Sequence, residues 1–293
     1  MDCPYDGEHR DAGWNAKGDR MTSQGLDWDE ITRIAKSAEE SGGTVGVTVI
    51  APSGETFGYN GDRKFGAAST MKIPLMIEIF RQIDRGERSL NDEYVLAAED
   101  IAVGSGVMLH LHHGITLTLN DLIYLMISIS DNSATNILID MAGMDAVNET
   151  MRSLEMTNSN LGRKMQGKPA GPGQQENWAT PNDYAAAVQS LLDGTAASAD
   201  SCAKMVAMLE KQQNHHRISR YLPEGNDIRW GSKTGSVKGV TNDAGFVSTP
   251  AGTMIVAVYC EALPDQHVGE KVIGDISRAA MVATGVVEPL WTS

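Results

Sequence analysis

Apolar side chains at Trp28, Ile31, Ile34, Ala35 and Ala38 recur at helical spacing and predict an amphipathic helix over Asp27 to Ser41. The period then changes. Thr44 to Ala51 and Glu55 to Asn60 read as strands, bounded by Gly, Pro, Ser and Asn positions that favour turns. A long helical stretch follows, clearest over Met71 to Ile83, Leu119 to Ile129 and Ala134 to Ala142. Strand-like runs return near 230–238, 243–249 and 253–261, ahead of a last helix. Strands at both ends of a helical middle predict an α/β fold: one antiparallel sheet flanked by the terminal helices, plus an inserted all-helical lobe. The expected α/β lobe takes residues of about 23–63 and 213–293, and the helical lobe about 64–212. Residues 1–22 mix glycine, charge and isolated aromatics without a period, and a flexible extension is expected there.

Composition narrows the classes of function. With 293 residues and 41% hydrophobic content the chain can bury a substantial core. No apolar run approaches the ~18 residues of a membrane span, and Met1 to His9 has no basic end followed by an apolar stretch. A cytoplasmic location is therefore expected, or a secreted one if a leader has been lost; Met21 serves equally well as a start. The net charge of −14 argues against nucleic acid and anionic membrane surfaces as partners; a small-molecule substrate and a monomer are expected. Lys72, Lys233 and Lys238 still offer local positive charge to an anionic ligand. Cys3, Cys202 and Cys260 are odd in number and widely spaced, so no obligatory disulfide is inferred. The clusters His110, His112, His113 and His215, His216 invite a metal reading, but a catalytic metal needs three converging ligands and an open position, and no metal or cofactor is expected. The 15 methionines read as core filler.

Three short words carry the chemistry: Ser69-Thr70-Met71-Lys72, Ser130-Asp131-Asn132 and Lys233-Thr234-Gly235. A serine hydroxyl needs a base, a proton carrier for the leaving group and donors for the oxyanion before it can attack a carbonyl. Ser69 and Lys72 lie one helical turn apart, so the amine can act as base if burial or the Lys233 charge depresses its pKa. Pro74 is compatible with a helix only in its first turn, and free amides at such a start can serve an oxyanion hole. Ser130 falls in a short connection between two helical runs, where its hydroxyl can shuttle a proton while Asn132 bonds a substrate amide. Lys233, Thr234 and Ser236 lie on a predicted strand, which can pair with an extended acyl substrate while its lysine and threonine hold a carboxylate; Gly235 lets the backbone approach. Ser-x-x-Lys alone is uninformative, being expected about once in a chain of this length. Ser201-Cys-Ala-Lys204 is such an instance. The other two triplets are each expected well under ~0.1 times by chance.

Over roughly 25–285 the chain resembles the class A β-lactamases, in the wider group of penicillin-recognising serine enzymes. Ile129-Ser-Asp-Asn-Ser-Ala-Thr-Asn136, Ala179-Thr-Pro181 after a glycine-rich loop, and Leu222-Pro223 ahead of the Lys-Thr-Gly strand add to the three words. The resemblance implies a β-lactamase/transpeptidase-like fold, Ser69 as nucleophile, Lys72 as base, Ser130 as proton shuttle, and Lys233, Thr234 and Ser236 as carboxylate and acyl contacts. It also implies an Ω-loop glutamate in an Arg-Trp-Glu-x-x-Leu-Asn pattern that activates the deacylating water, and this the chain lacks. Aligning on Arg163 puts Met165 or Gln166 there, although Asn136, which braces that glutamate in the family, is present. Glu176 is the loop's one carboxylate and is a candidate surrogate base, with a brace to Arg163 as its other reading. The implied activity is β-lactam amide hydrolysis through an acyl-enzyme that deacylates slowly. The alternatives are a D-alanyl peptidase or esterase, and a penicillin-binding sensor without turnover. Arg220, Lys238 and Lys271 are the candidate carboxylate-binding cations beyond the Lys-Thr-Gly strand.

Overall fold

A computed structural model describes residues 25–223 and 227–287; the extension expected over 1–22 lies outside the described residues. In chain order the helices are α1 (Asp29–Glu39), α2 (Lys72–Asp84), α3 (Leu119–Ser128), α4 (Asn132–Ala142), α5 (Met144–Ser153), α6 (Pro181–Leu192), α7 (Ala199–Leu209) and α8 (Gln266–Ala283). The strands are β1 (Thr44–Ile50), β2 (Thr56–Tyr59), β3 (Phe65–Gly66), β4 (Glu93–Val95), β5 (Thr116–Thr118), β6 (Trp178–Ala179), β7 (Arg229–Val237), β8 (Val240–Thr249) and β9 (Gly252–Glu261). Five of them form an antiparallel sheet in the order β2-β1-β9-β8-β7. Both chain ends build this sheet, which is the α/β arrangement that the strand–helix–strand pattern predicts.

Strand alternation sorts β9 between two cores. Val256, Val258 and Cys260 pack with Ile31 and Ala35 of α1 and Ile273 and Ile276 of α8. Ile255, Ala257 and Tyr259 face the other way, into a larger core with Ile77 and Phe80 of α2, Leu122 of α3 and Leu138 of α4. The sheet is thus covered on both faces, and α2 runs through the interior with ten consecutive or near-consecutive residues from Lys72 to Gln82 buried. Such a helix carries little amphipathic signal, because it has no solvent face over that length.

Local chemistry fixes the helix starts. Thr118 and Asp121 form a reciprocal capping box at α3, with the Thr118 hydroxyl accepting from the Asp121 amide at 3.1 Å and the Asp121 carboxylate accepting from the Thr118 amide at 2.8 Å. Thr180 caps α6 just ahead of Pro181 at its first position. Pro74 is the third residue of α2, following a 3-10 turn over Ala68–Met71, so it sits in the first turn, where its missing N–H costs nothing.

Candidate active site

Ser69 belongs to the 3-10 turn that leads into α2, and its residue is only 9% exposed. The turn is held from behind: the Asn242 side chain on β8 donates to the carbonyls of Gly66 at 2.8 Å and Ala67 at 3.3 Å. Edge strand β7 closes on it from the side. A Cβ on Gly235 would lie 3.0 Å from the Ala67 carbonyl oxygen and 3.1 Å from the Ser69 nitrogen, so glycine is what lets the two backbones meet. Ala68, immediately before Ser69, has φ 46°, and Ser130 has φ 60°, so two non-glycine residues in the left-handed region flank one cleft.

Lys72, the first residue of α2, is fully buried and donates to three acceptors on or next to the Ser-Asp-Asn word: the Ser130 carbonyl at 2.8 Å, Ser130 Oγ at 3.0 Å and Asn132 Oδ1 at 3.1 Å. Ser69 Oγ is not among them, so the lysine expected beside Ser69 is anchored instead to Ser130 and Asn132. Burial drives its pKa well below the usual lysine value, the Lys233 charge adds to this, and Asp131 opposes it. The shift is in the direction a base requires, towards the neutral amine.

Asp131 acts as a clamp. Its Oδ2 accepts from the amides of Val107 at 2.7 Å and Met108 at 2.8 Å, and its Oδ1 caps α4 through Ala134 at 3.0 Å. Gly106, at φ 118°, is required there, since a Cβ would fall 2.2 Å from Asp131 Oδ2. The Asn132 amide donates to the Val103 carbonyl at 2.9 Å, which seats the 103–108 loop over the word that carries Ser130.

Lys233 on β7 is fully buried, donates to the Thr234 carbonyl at 3.0 Å, and has its pKa pulled down to about 7 by burial, with Asp243 opposing and Arg217 assisting. Arg217 is the residue that sequence reasoning missed. It is 1% exposed, and its Nη1 donates to the carbonyls of Gly235 at 2.9 Å and Asn242 at 2.6 Å. Its Nη2 bonds Ser236 Oγ and reaches Glu270 at 3.4 Å. Of the cations considered in its place, Arg220 stacks on Tyr221 with 5.6 Å between guanidinium carbon and ring centre, and Lys271 pairs with Asp275 at 2.5 Å. Lys238 lines the cleft rim. The guanidinium enters from the connection between α7 and β7 and not from β8.

The loop over 160–177 forms the facing wall. Asn136 pairs with the backbone of Met165 in both directions, accepting its amide at 2.8 Å and donating to its carbonyl at 3.1 Å, and Met165 is 8% exposed. Asn177 accepts from the amides of Gly162 and Arg163 at 2.8 and 2.9 Å. Glu176 lines the cleft, but its Oε1 meets Arg163 Nη2 at 2.8 Å and the Asn177 amide at 2.8 Å, while Oε2 accepts from the Ala170 amide at 2.8 Å. Between this wall, β7 and Ser130 lies a cleft of about 700 Å³ bordered by Ser69, Ser130, Asn132, Thr234 and Ser236. Ser201, from the other Ser-x-x-Lys word, lies elsewhere and donates to Asp84 at 2.6 Å.

The family model of the β-lactamase enzyme family matches residues 28–284. The chain belongs to the β-lactamase enzyme family. It is similar to β-lactamase SME-1 of Serratia marcescens, 28% identical over 261 residues that cover 86% of this chain and 87% of that one. Among solved structures it is similar to a β-lactamase from Sphaerobacter thermophilus DSM 20745, with a TM-score of 0.89 at 63% identity over 90% of this chain and 100% of that one. An ancestral class A β-lactamase superposes with a TM-score of 0.78 at 29% identity, covering 85% and 98% of the two chains. The class A fold and the serine hydrolase class are thereby shown for this chain, and among the described residues no helix is long and apolar enough to cross a membrane.

Proposed function

We propose that this enzyme opens β-lactam amides through an ester on Ser69 and releases the product slowly. The observation that carries the reading is the Lys72 amine, buried, with a depressed pKa, hydrogen-bonded to Ser130 Oγ and one turn from Ser69. For acylation the neutral Lys72 amine turns its lone pair to the Ser69 hydroxyl and takes its proton as Oγ bonds the lactam carbonyl carbon. The oxyanion is met by the Ser69 amide and by backbone donors of edge strand β7. Collapse breaks the carbon–nitrogen bond. The nitrogen receives the Ser130 hydroxyl proton, which the Lys72 ammonium replaces across 3.0 Å. Lys233, Thr234, Ser236 and Arg217 hold the substrate carboxylate, Asn132 binds its amide, and Gly235 permits the close approach. The enzyme acts as a monomer without metal or cofactor.

Hydrolysis of the ester needs a base beside a water, and Met165 and Gln166 are not bases. Glu176 is better read as the brace of its own loop, since Arg163, Ala170 and Asn177 occupy its oxygens. Deacylation then falls to Lys72, so the acyl-enzyme persists. Intact mass followed over time after mixing with a penicillin and with a chromogenic cephalosporin tests this. A Ser69-dependent adduct that decays slowly is expected; no adduct and no hydrolysis would refute the reading. A D-alanyl peptidase or esterase, or a sensor without turnover, would use the same acylation parts, and the named relatives favour neither.

A further inference from the structure

The cleft extends past Ser69 along β3 to a pocket wall that acylation does not use. Gly66, Trp178, Val240 and Glu261 line it. Glu261, half-buried at the end of β9, accepts the Gly66 amide on Oε1 at 2.7 Å, which anchors one oxygen of its carboxylate. Among the described residues that is its one side-chain hydrogen bond, and it forms no ion pair there. Trp178 pairs with Gly66 across the β3–β6 ladder and is one of the few large apolar side chains left exposed, at 37%. Gly66 has no backbone need to be glycine, because its φ is not positive. A Cβ on it would simply rest 3.6 Å from Val240 and 3.7 Å from Glu261 Oε1, so its absence leaves the floor between carboxylate and indole open.

An anchored carboxylate with spare acceptor capacity beside an exposed indole is a combination suited to an organic ammonium, through a charge-assisted hydrogen bond and a cation–π contact. The rest of the cleft is arranged with opposite polarity. Arg217 lines the carboxylate-binding side with Thr234 and Ser236, Lys233 is buried on the same strand β7, and Arg163 is paired with Glu176. Lys168 and Lys238 are exposed at the rim, and neither lies within ion-pair distance of Glu261. A ligand with an anion at one end and a cation at the other would therefore match the cleft at both ends.

We infer that Glu261 and Trp178 form a subsite for an ammonium on the acyl side chain of the substrate, so that this enzyme prefers zwitterionic acyl donors. The inference rests on the acylation reading above and adds the substrate class to it.

Acylation rates of Ser69 by three penicillins test it: ampicillin, with an α-ammonium on the side chain; benzylpenicillin, neutral there; and carbenicillin, with a carboxylate there. In the wild type the second-order acylation rate should fall in that order. Glu261→Gln should lower the ampicillin-to-benzylpenicillin ratio about tenfold and raise the carbenicillin-to-benzylpenicillin ratio. Trp178→Ala should lower the first ratio by a smaller factor, and added salt should compress the wild-type ratios. Thermal melts report whether each variant is folded; if Glu261→Gln is not, Trp178→Ala and the salt series decide. Ratios unchanged by substitution and by salt, with all three penicillins still acylating Ser69, would overturn the subsite alone. Absence of acylation by all three would overturn the reading beneath it as well.

Discussion

The cleft has two walls, and they use their polar groups in opposite ways. On the Ser69 wall, Lys72 and Lys233 are buried with depressed pKa values, and the amine of Lys72 is aimed at Ser130 Oγ. On the wall built by residues 160–177, Asn177 is spent on the amides of Gly162 and Arg163, and Glu176 on Arg163, Ala170 and Asn177. One wall holds groups poised to change protonation state, whereas the other holds groups consumed in shaping a loop. On the proposed mechanism, the difference separates forming an acyl-enzyme from breaking it. A chain can carry the whole of the first apparatus and keep only the frame of the second, because the frame, Asn136 on the Met165 backbone, does not depend on which side chain it presents.

The largest effect should come from the first wall. Ser69→Ala is expected to abolish covalent labelling by a penicillin, whereas Ser201→Ala, whose hydroxyl bonds Asp84 near the start of α7, should label like the wild type. Intact mass reads both, and equal labelling of wild type and Ser69→Ala would collapse the comparison.

Next comes a graft onto the second wall. Met165 sits in a backbone cradle made by Asn136, so Met165→Glu places a carboxylate on an existing frame. Deacylation should accelerate by the ~10²–10⁴-fold that a general base supplies, measured as decay of the adduct mass. Met165 is 8% exposed, so some of the gain is offset by the cost of burying a carboxylate there. No acceleration in a folded variant would show that the frame does not face the ester.

The two walls differed equally in how much of them the sequence disclosed. The three words named Ser69, Lys72, Ser130 and Lys233 because each is a local signal, and the burial that tunes Lys72 follows from an apolar run that leaves α2 without a solvent face. Arg217 was not legible. Its partners are the carbonyls of Gly235 and Asn242 on two paired strands, and nothing local in His215-His216-Arg217 announces acceptors that lie 18 and 25 residues away. The clamping role of Asp131, a member of the second word, and that of Asn242 were hidden for the same reason, since each acts by bonding backbone groups of a distant segment. For the loop, the sequence disclosed the missing base and left both readings of Glu176 open; only the positions of Arg163, Ala170 and Asn177 weigh between them.

A pH series sharpens the first wall further. The free-enzyme pKa of Lys233 is pulled down to about 7, so its charge is present below that pH and lost above it. kcat/KM for a carboxylate-bearing substrate, which reports the free enzyme, should therefore fall severalfold on the alkaline side of about 7, against the rise expected as Lys72 loses its proton. Lys233→Arg keeps its charge at every working pH and should remove that alkaline fall, even if its absolute rate is lower. A limb that survives in Lys233→Arg would assign the titration to another group.

The smallest expected change bears most directly on the second wall. If Glu176 were the base for deacylation, Glu176→Gln would lengthen the acyl-enzyme lifetime by ~10²-fold or more. The geometry argues otherwise: both carboxylate oxygens are engaged, Oε1 by Arg163 at 2.8 Å, with the pair only 11% and 18% exposed, and by the Asn177 amide, and Oε2 by the Ala170 amide. Removing the charge leaves Arg163 less well satisfied, and its Nε already lacks a partner. The expected outcome is a loss of about 1–3 kcal/mol, between an exposed ion pair and a buried one, seen as a lower melting temperature with the lifetime of the adduct changed less than about threefold. Arg163→Gln should reproduce the same melting shift, and the double variant should cost little more than either single one, because both remove one interaction. A Glu176→Gln enzyme with unchanged melting and a much longer-lived adduct would move Glu176 from the frame to the chemistry, and the two walls would then be alike after all.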